Sequence, residues 1–230
     1  MNYLAHFYLD HTDPRPHFTA GAMLPDLGRS FGKGYRIQAI QLPPQTSTQP
    51  LLHEVNAGVA RHHHADKFFH TSAFFRRHFE LVKSNIYKAN LQSIPKYTYF
   101  VAHVLLEMLI DRLLMKQHPQ LCNHYYNALL QTNTAIIGNY MQLWGMQKKE
   151  TRQFIGHFEL FCTNKYLYHY QTNSGLLYGL ERMYRRVMPG SFSENDKQQL
   201  EACIAVCEQA MEEDLHALFA PGGVFGKEDW

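Results

Sequence analysis

Three side chains able to hold a proton or a cation, His103, Glu107 and Asp111, recur every fourth residue inside an otherwise apolar run from Phe100 to Met115. On a helix, that spacing puts all three on one stripe. Burying ionisable groups costs several kcal/mol each unless an opposite charge compensates, so an embedded row of Lewis bases points to a cation facing it. A second run, from Gly58 to His70, repeats the pattern with His62, Asp66 and His70. A histidine and an aspartate one helical turn apart form a natural chelating pair, and a metal site between helices takes ligands from facing elements. The two runs therefore predict that His62 and Asp66 converge with His103, Glu107 and Asp111.

Each group has a plainer alternative. Glu107 and Asp111 would be ordinary solvated carboxylates if Arg112 or Lys116 were their partners, and His103 would be a hydrogen-bonded core histidine. The triplet His62, His63 and His64 fits a polar helix face. Asp26, in Leu24-Pro-Asp-Leu-Gly-Arg29, fits a helix-terminal carboxylate. His6 sits in an apolar segment, where a single imidazole is usually a satisfied core group.

The elements that must position these residues are helical. Apolar spacings of three and four dominate, and period-two runs bounded by turn residues are nearly absent. A short segment from Tyr3 to Leu9 precedes a loop marked by Asp13, Pro14 and Pro16, and then a helix through 20–28. Three prolines and a Ser/Thr cluster make 41–50 a loop. Helices are expected at about 52–70, 72–91, 96–117, 120–131, 134–147, 149–162, 173–188 and 194–219. Pro95 should open one of them and Pro119 should follow another. Ser193, with Asp196 three residues later, has the form of an N-cap. The fold expected is all-α: one helical domain over 1–220, with the metal-site core in about 1–118, a helical extension over 119–220 and a tail over 221–230.

At 230 residues with 45% hydrophobic residues, the chain is long and apolar enough to close a core. A net charge of +2 is too weak to argue for nucleic-acid binding, and no nucleic-acid partner is expected, although Arg76-Arg77, Lys148-Lys149 and Arg185-Arg186 leave room for local basic faces. His17, His53, His118 and His216 stand outside any constellation and are expected on the surface. Cys122, Cys162, Cys203 and Cys207 form no CxxC pair and read as reduced thiols of a cytosolic protein. No apolar run reaches the ~20 residues of a membrane span, and the first residues lack the basic and small-residue signature of a signal peptide, so a soluble cytoplasmic protein is expected.

Taken in order, Asn2-Tyr-Leu-Ala-His6, Leu24-Pro-Asp26-Leu-Gly-Arg29, Gly58-x3-His62-x3-Asp66 and Glu107-x3-Asp111-Arg-Leu-Leu114 resemble the acyl carrier protein phosphodiesterases. The resemblance covers roughly 1–118. It implies an HD-like helical bundle and a metal-dependent hydrolase that removes the phosphopantetheine arm from the serine of holo acyl carrier protein. Asp26, His62, Asp66 and Asp111 match the family's acidic and imidazole positions, as do His6 and, with glutamate in place of aspartate, Glu107. The chain departs from the pattern at Arg112, where the family carries histidine, and at Phe69-His70, where it often carries Thr-Asp.

On this reading His6, Asp26, His62, Asp66, His103, Glu107 and Asp111 are the metal set. Such oxygen-rich ligation without cysteine favours manganese, with iron or zinc as alternatives. Arg29 would steady a phosphate oxygen, and His63 or His70 would protonate the leaving alkoxide. Holo acyl carrier protein, an acidic partner, would dock on Arg76, Arg77 and Lys83. Two other readings stay open: a metal hydrolase of a small phosphoester or nucleotide, and a non-catalytic helical binding protein whose polar groups form a hydrogen-bonded network.

Overall fold

The computed structural model describes residues 1–12, 14–94 and 98–219. Asp13 of the expected loop, the helix start expected at Pro95 and the tail expected over 221–230 lie outside them. Among the described residues every regular element is a helix, as their periodicity predicts: α1 (Tyr3–Tyr8), α2 (Pro16–Phe31), α3 (Pro50–Thr71), α4 (Ala73–Ala89), α5 (Thr98–Gln117), α6 (Leu121–Leu130), α7 (Thr134–Trp144), α8 (Lys148–Asn164), α9 (Asn173–Tyr184) and α10 (Glu194–Phe219). Short 3-10 turns occupy Pro44–Thr46, inside the expected loop, and Tyr166–Gln171; neither is expected from the sequence. Among the described residues no helix is long and apolar enough to cross a membrane.

The chain divides into two compact units, each drawing on separated stretches of sequence. One comprises 3–66 and 120–166, and therefore α1, α2, most of α3, and α6 to α8. Leu4, Leu24, Leu27, Val55, Val59, Tyr125, Tyr126, Phe154 and Phe158 are sealed in its core. Pro16 opens α2 instead of belonging to the loop before it, because the first helical turn does not use the amide hydrogen that proline lacks. α2 and α3 cross with their backbones almost in contact. A Cβ built on Gly21 would lie 2.1 Å from the Val55 carbonyl oxygen, and one on Gly58 would lie 2.1 Å from the Phe18 oxygen.

Two polar side chains hold the loops of this unit. The Asn56 side chain accepts from the Ile40 amide at 2.9 Å and donates to the Ile40 carbonyl at 3.0 Å, while the Tyr140 hydroxyl donates to Asn56 Oδ1 at 2.9 Å. His17 is buried, contrary to the surface position expected. Its Nε2 accepts the Asn133 amide at 3.2 Å, so the imidazole satisfies a backbone donor.

Among the described residues the other unit comprises 1–2, 67–94, 98–119 and 167–219. Its centre is α5, where every residue from Val101 to Met115 is buried except His103 and Glu107. α4, α9 and α10 pack on α5. Ser72 caps α4 by accepting the Phe75 amide at 3.0 Å, and Asn90 ends it in the left-handed conformation at φ 49°. Ser193 caps α10 through the Asp196 amide at 3.0 Å. The Asp196 carboxylate does not return to the cap; it is fully buried and takes the Gln92 amide at 3.0 Å, the Ser93 amide at 2.6 Å and the Ser93 hydroxyl.

Candidate metal centre

The α2–α3 crossing dictates where the first group of ligands can form. His62 lies one turn beyond Gly58, and the close approach lets its Nδ1 reach the Ala22 carbonyl at 2.8 Å. A carbonyl only accepts, so Nδ1 carries the hydrogen and Nε2 presents a lone pair. That Nε2 is buried without a hydrogen-bond partner. It faces Asp66 Oδ2 at 3.5 Å and Asp26 Oδ1 at 3.9 Å. Burial holds the His62 imidazole well below its ordinary pKa; nearby His6 acts the same way, against the opposing pull of Asp66. A neutral lone pair aimed at carboxylates is repulsive unless a cation lies between them.

His6, on α1, completes this group. Its ring stacks on His62 with centroids 4.0 Å apart, and its Nε2 stands 3.2 Å from Asp66 Oδ1. Burial raises the Asp66 carboxyl, but surrounding positive charge and the His6 hydrogen bond outweigh it and keep it ionised far below the usual carboxylate range. One ligand atom from each of His6, His62 and Asp66 lies within 4.8 Å of the others, a spread that one divalent ion could draw together. Arg61, just before His62, fixes this part of α3 by a bidentate pair to Asp10, at 3.0 and 3.1 Å. Arg29 Nη1 is 3.9 Å from Asp26 Oδ1, and its side chain is 61% exposed. His63 points elsewhere: its Nε2 lies 2.8 Å from the Ile37 carbonyl, so Nε2 carries the hydrogen and Nδ1 the lone pair.

His103 and Glu107 gather with His70 in the other unit. From the sequence, His70 takes the role of proton donor; the structure groups it with His103 and Glu107, as its four-residue spacing from Asp66 could have signalled. His103 Nε2 is 3.0 Å from Glu107 Oε1 and 3.1 Å from His70 Nε2, and His70 Nε2 is 3.5 Å from the same Oε1. The Met1 amino group is also 3.0 Å from Oε1. Burial raises the Glu107 carboxyl, yet the Met1 ammonium and the hydrogen bonds from His103 and His70 hold it well below its ordinary pKa.

Asp111 is fully buried one turn further along α5 and belongs to neither ligand group. Its neighbour Arg112 donates to Asn173 Oδ1 at 2.7 Å and stands 3.3 Å from Glu208, which also pairs with Lys116 at 2.6 Å. The expected docking residues are partly neutralised from within: Arg77 pairs with Asp214 at 2.9 Å and Lys83 with Glu80 at 2.6 Å.

The backbone carbonyl that orients His62 had no signal in the sequence, because it depends on two helices touching. The crossing that sets this contact, α2 on α3, is carried by two glycines, Gly21 and Gly58. No curated protein matches the chain, nor does any solved structure. The family model for acyl carrier protein phosphodiesterase matches residues 1–220, well past the expected limit near 118 and across the C-terminal helices. With that match covering nearly the whole sequence, the chain belongs to the acyl carrier protein phosphodiesterase family, phosphodiester hydrolases acting on acyl carrier protein.

Proposed function

We propose that this protein is a divalent-metal-dependent phosphodiesterase that cleaves the phosphopantetheine arm from holo acyl carrier protein, with His6, Asp26, His62 and Asp66 holding the ion. The observation that carries the reading is the His62 Nε2 lone pair, buried, without a hydrogen bond and directed at two carboxylates. Two imidazoles and two carboxylates suit Mn2+, Fe2+ or Zn2+, and Mn2+ is the first to test. A divalent ion bound there supplies positive charge for the phosphoryl oxygens and makes water acidic enough to act near neutral pH.

The chain's own residues do the rest. The Ala22 carbonyl fixes the ring of His62, and Arg61 on Asp10 fixes the segment that bears it, so the donor atoms are aligned before substrate arrives. Arg29, exposed beside Asp26, is placed to donate to a phosphoryl oxygen as charge builds there. Protonation of the departing alkoxide by His63 requires its imidazolium form, which would give up the Nδ1 proton while Nε2 keeps the hydrogen held by the Ile37 carbonyl. An acidic carrier reaching α4 would have to exchange the Arg77–Asp214 and Lys83–Glu80 pairs for its own carboxylates, an exchange that salt would weaken.

The test is release of phosphopantetheine from holo acyl carrier protein by the purified protein with Mn2+, before and after chelation. Metal-dependent release that disappears in His62→Ala supports the proposal. Hydrolysis of aryl phosphodiesters with no action on the carrier protein would move the substrate to a small phosphoester. Full release in the chelated protein would overturn the metal assignment.

A further inference from the structure

We propose that His70, His103 and Glu107 form a second cation site, one that takes a first-row divalent ion of the Zn2+ class. The proposal does not rest on the phosphodiesterase reading, since it concerns other side chains in the other unit.

The three ligand atoms form a nearly equilateral triangle with sides of 3.0, 3.1 and 3.5 Å. Hydrogen bonds close at most two sides of that figure, those that run to Glu107 Oε1. Each Nε2 carries at most one hydrogen. If both carry one, both can donate to Glu107 Oε1, and the two nitrogens stand 3.1 Å apart with neither donating to the other; if only one does, a lone pair is left facing a nitrogen or the carboxylate oxygen. A cation in the triangle is met by three lone pairs at once. Ligand atoms each ~2.0–2.2 Å from one metal stand ~3.0–3.5 Å from one another, the spacing of this triangle.

The ligand chemistry and the exposure point the same way. Two imidazoles and one carboxylate are the donor set of zinc sites that keep a coordination position open, and of ferrous sites of similar form. The side chains of His70 and His103 are 33% and 28% exposed, which gives an ion a route in and leaves room for water or an anionic ligand on its outer side. α5 supplies two of the ligands from one turn of an otherwise buried helix, so their geometry is held by the core beneath them. The Met1 ammonium beside Glu107 is the competing positive charge, and a cluster closed by that ammonium alone is the outcome to be distinguished.

The experiment is metal stoichiometry by elemental analysis after equilibrium dialysis against ZnCl2, with CoCl2 as a spectroscopic probe. His70→Ala and His103→Ala should each bind one equivalent fewer than the unmodified protein and lose the matching part of the Co2+ visible spectrum. A doubly substituted Asp26→Asn, Asp66→Asn protein should keep that equivalent and spectral component while losing ions held by His6 and His62. Circular dichroism identifies any variant that has unfolded, in which case the other histidine variant decides. Unchanged stoichiometry and spectrum in folded His70→Ala or His103→Ala would overturn the proposal. Loss of the equivalent in the double aspartate variant would overturn it too. Failure of phosphopantetheine release would leave it untouched, so the two readings fail separately.

Discussion

Gly21 on α2 and Gly58 on α3 cross with no side chain between them: a Cβ on Gly58 would sit 3.0 Å from the Gly21 carbonyl carbon and 2.1 Å from the Phe18 oxygen. The neighbouring Ala22 carbonyl can hold His62 because the helices come this close. Gly58→Ala must push α2 and α3 apart. The expected cost is roughly 1–3 kcal/mol or more, as for other overpacked interiors. Calorimetry should show a lowered Tm, and Mn2+ titration a weakened site. A variant that melts and binds Mn2+ like the parent would show that the crossing does not set the site.

His62→Ala removes the lone pair that Asp26 and Asp66 face. The expected loss of Mn2+ affinity exceeds the ~10–100-fold typical of changes to groups that merely orient a ligand. Isothermal titration with MnCl2 measures it directly. A loss of only a few-fold would mean that the ion sits elsewhere.

Asn56→Ala leaves the Ile40 amide and carbonyl and the Tyr140 hydroxyl without their shared partner. Leaving a fully buried polar group unsatisfied costs about 1–3 kcal/mol, and because Ile40 and Asn56 are half-buried the loss here falls at the lower end. Urea denaturation should register that loss, with faster amide exchange at Ile40. Unchanged exchange there would show that Asn56 does not hold the loop.

Asp196 gives a pH dependence with a definite sign. Burial raises its carboxyl pKa, but the hydrogen bonds from Ser93, Gln92 and Ser193 more than reverse that, so the folded value lies below the unfolded one. Its contribution to stability is therefore complete above the unfolded carboxylate range and disappears as pH falls through the folded value. Urea midpoints followed from pH 6 down through the carboxylate range near ~4 should fall more steeply for the parent than for Asp196→Asn. Parallel curves would remove Asp196 from the acid sensitivity.

The helices were legible because their burial is periodic: the apolar spacing that predicts α5 at about 96–117 and α10 at 194–219 is the spacing that packs them. The sequence assigns Pro16 to the loop and the structure makes it the first residue of α2, because a proline ends a loop and begins a helix with equal ease. His17 was misplaced because its partner is a backbone amide 116 residues away, for which no local pattern exists. At the candidate site, residue type and four-residue spacing picked out His62, Asp66, His103 and Glu107. Their sorting into groups, one with His6 and one with His70, was not legible, because tertiary contacts decide it. Ser193 and Asp196 show the same boundary: the cap could be read, but not the turn at Gln92 and Ser93 that the carboxylate secures.

That turn also bears on how the chain is made. A carboxylate near the start of α10 completes hydrogen bonds to amides laid down 103 and 104 residues earlier. During synthesis, α4 and α5 emerge from the ribosome with the apolar faces that α10 will cover still bare, and they remain so until most of the polypeptide has followed. The interval in which this unit is open to chaperones, proteases and aggregation is therefore set by the speed of translation as much as by the strength of its packing.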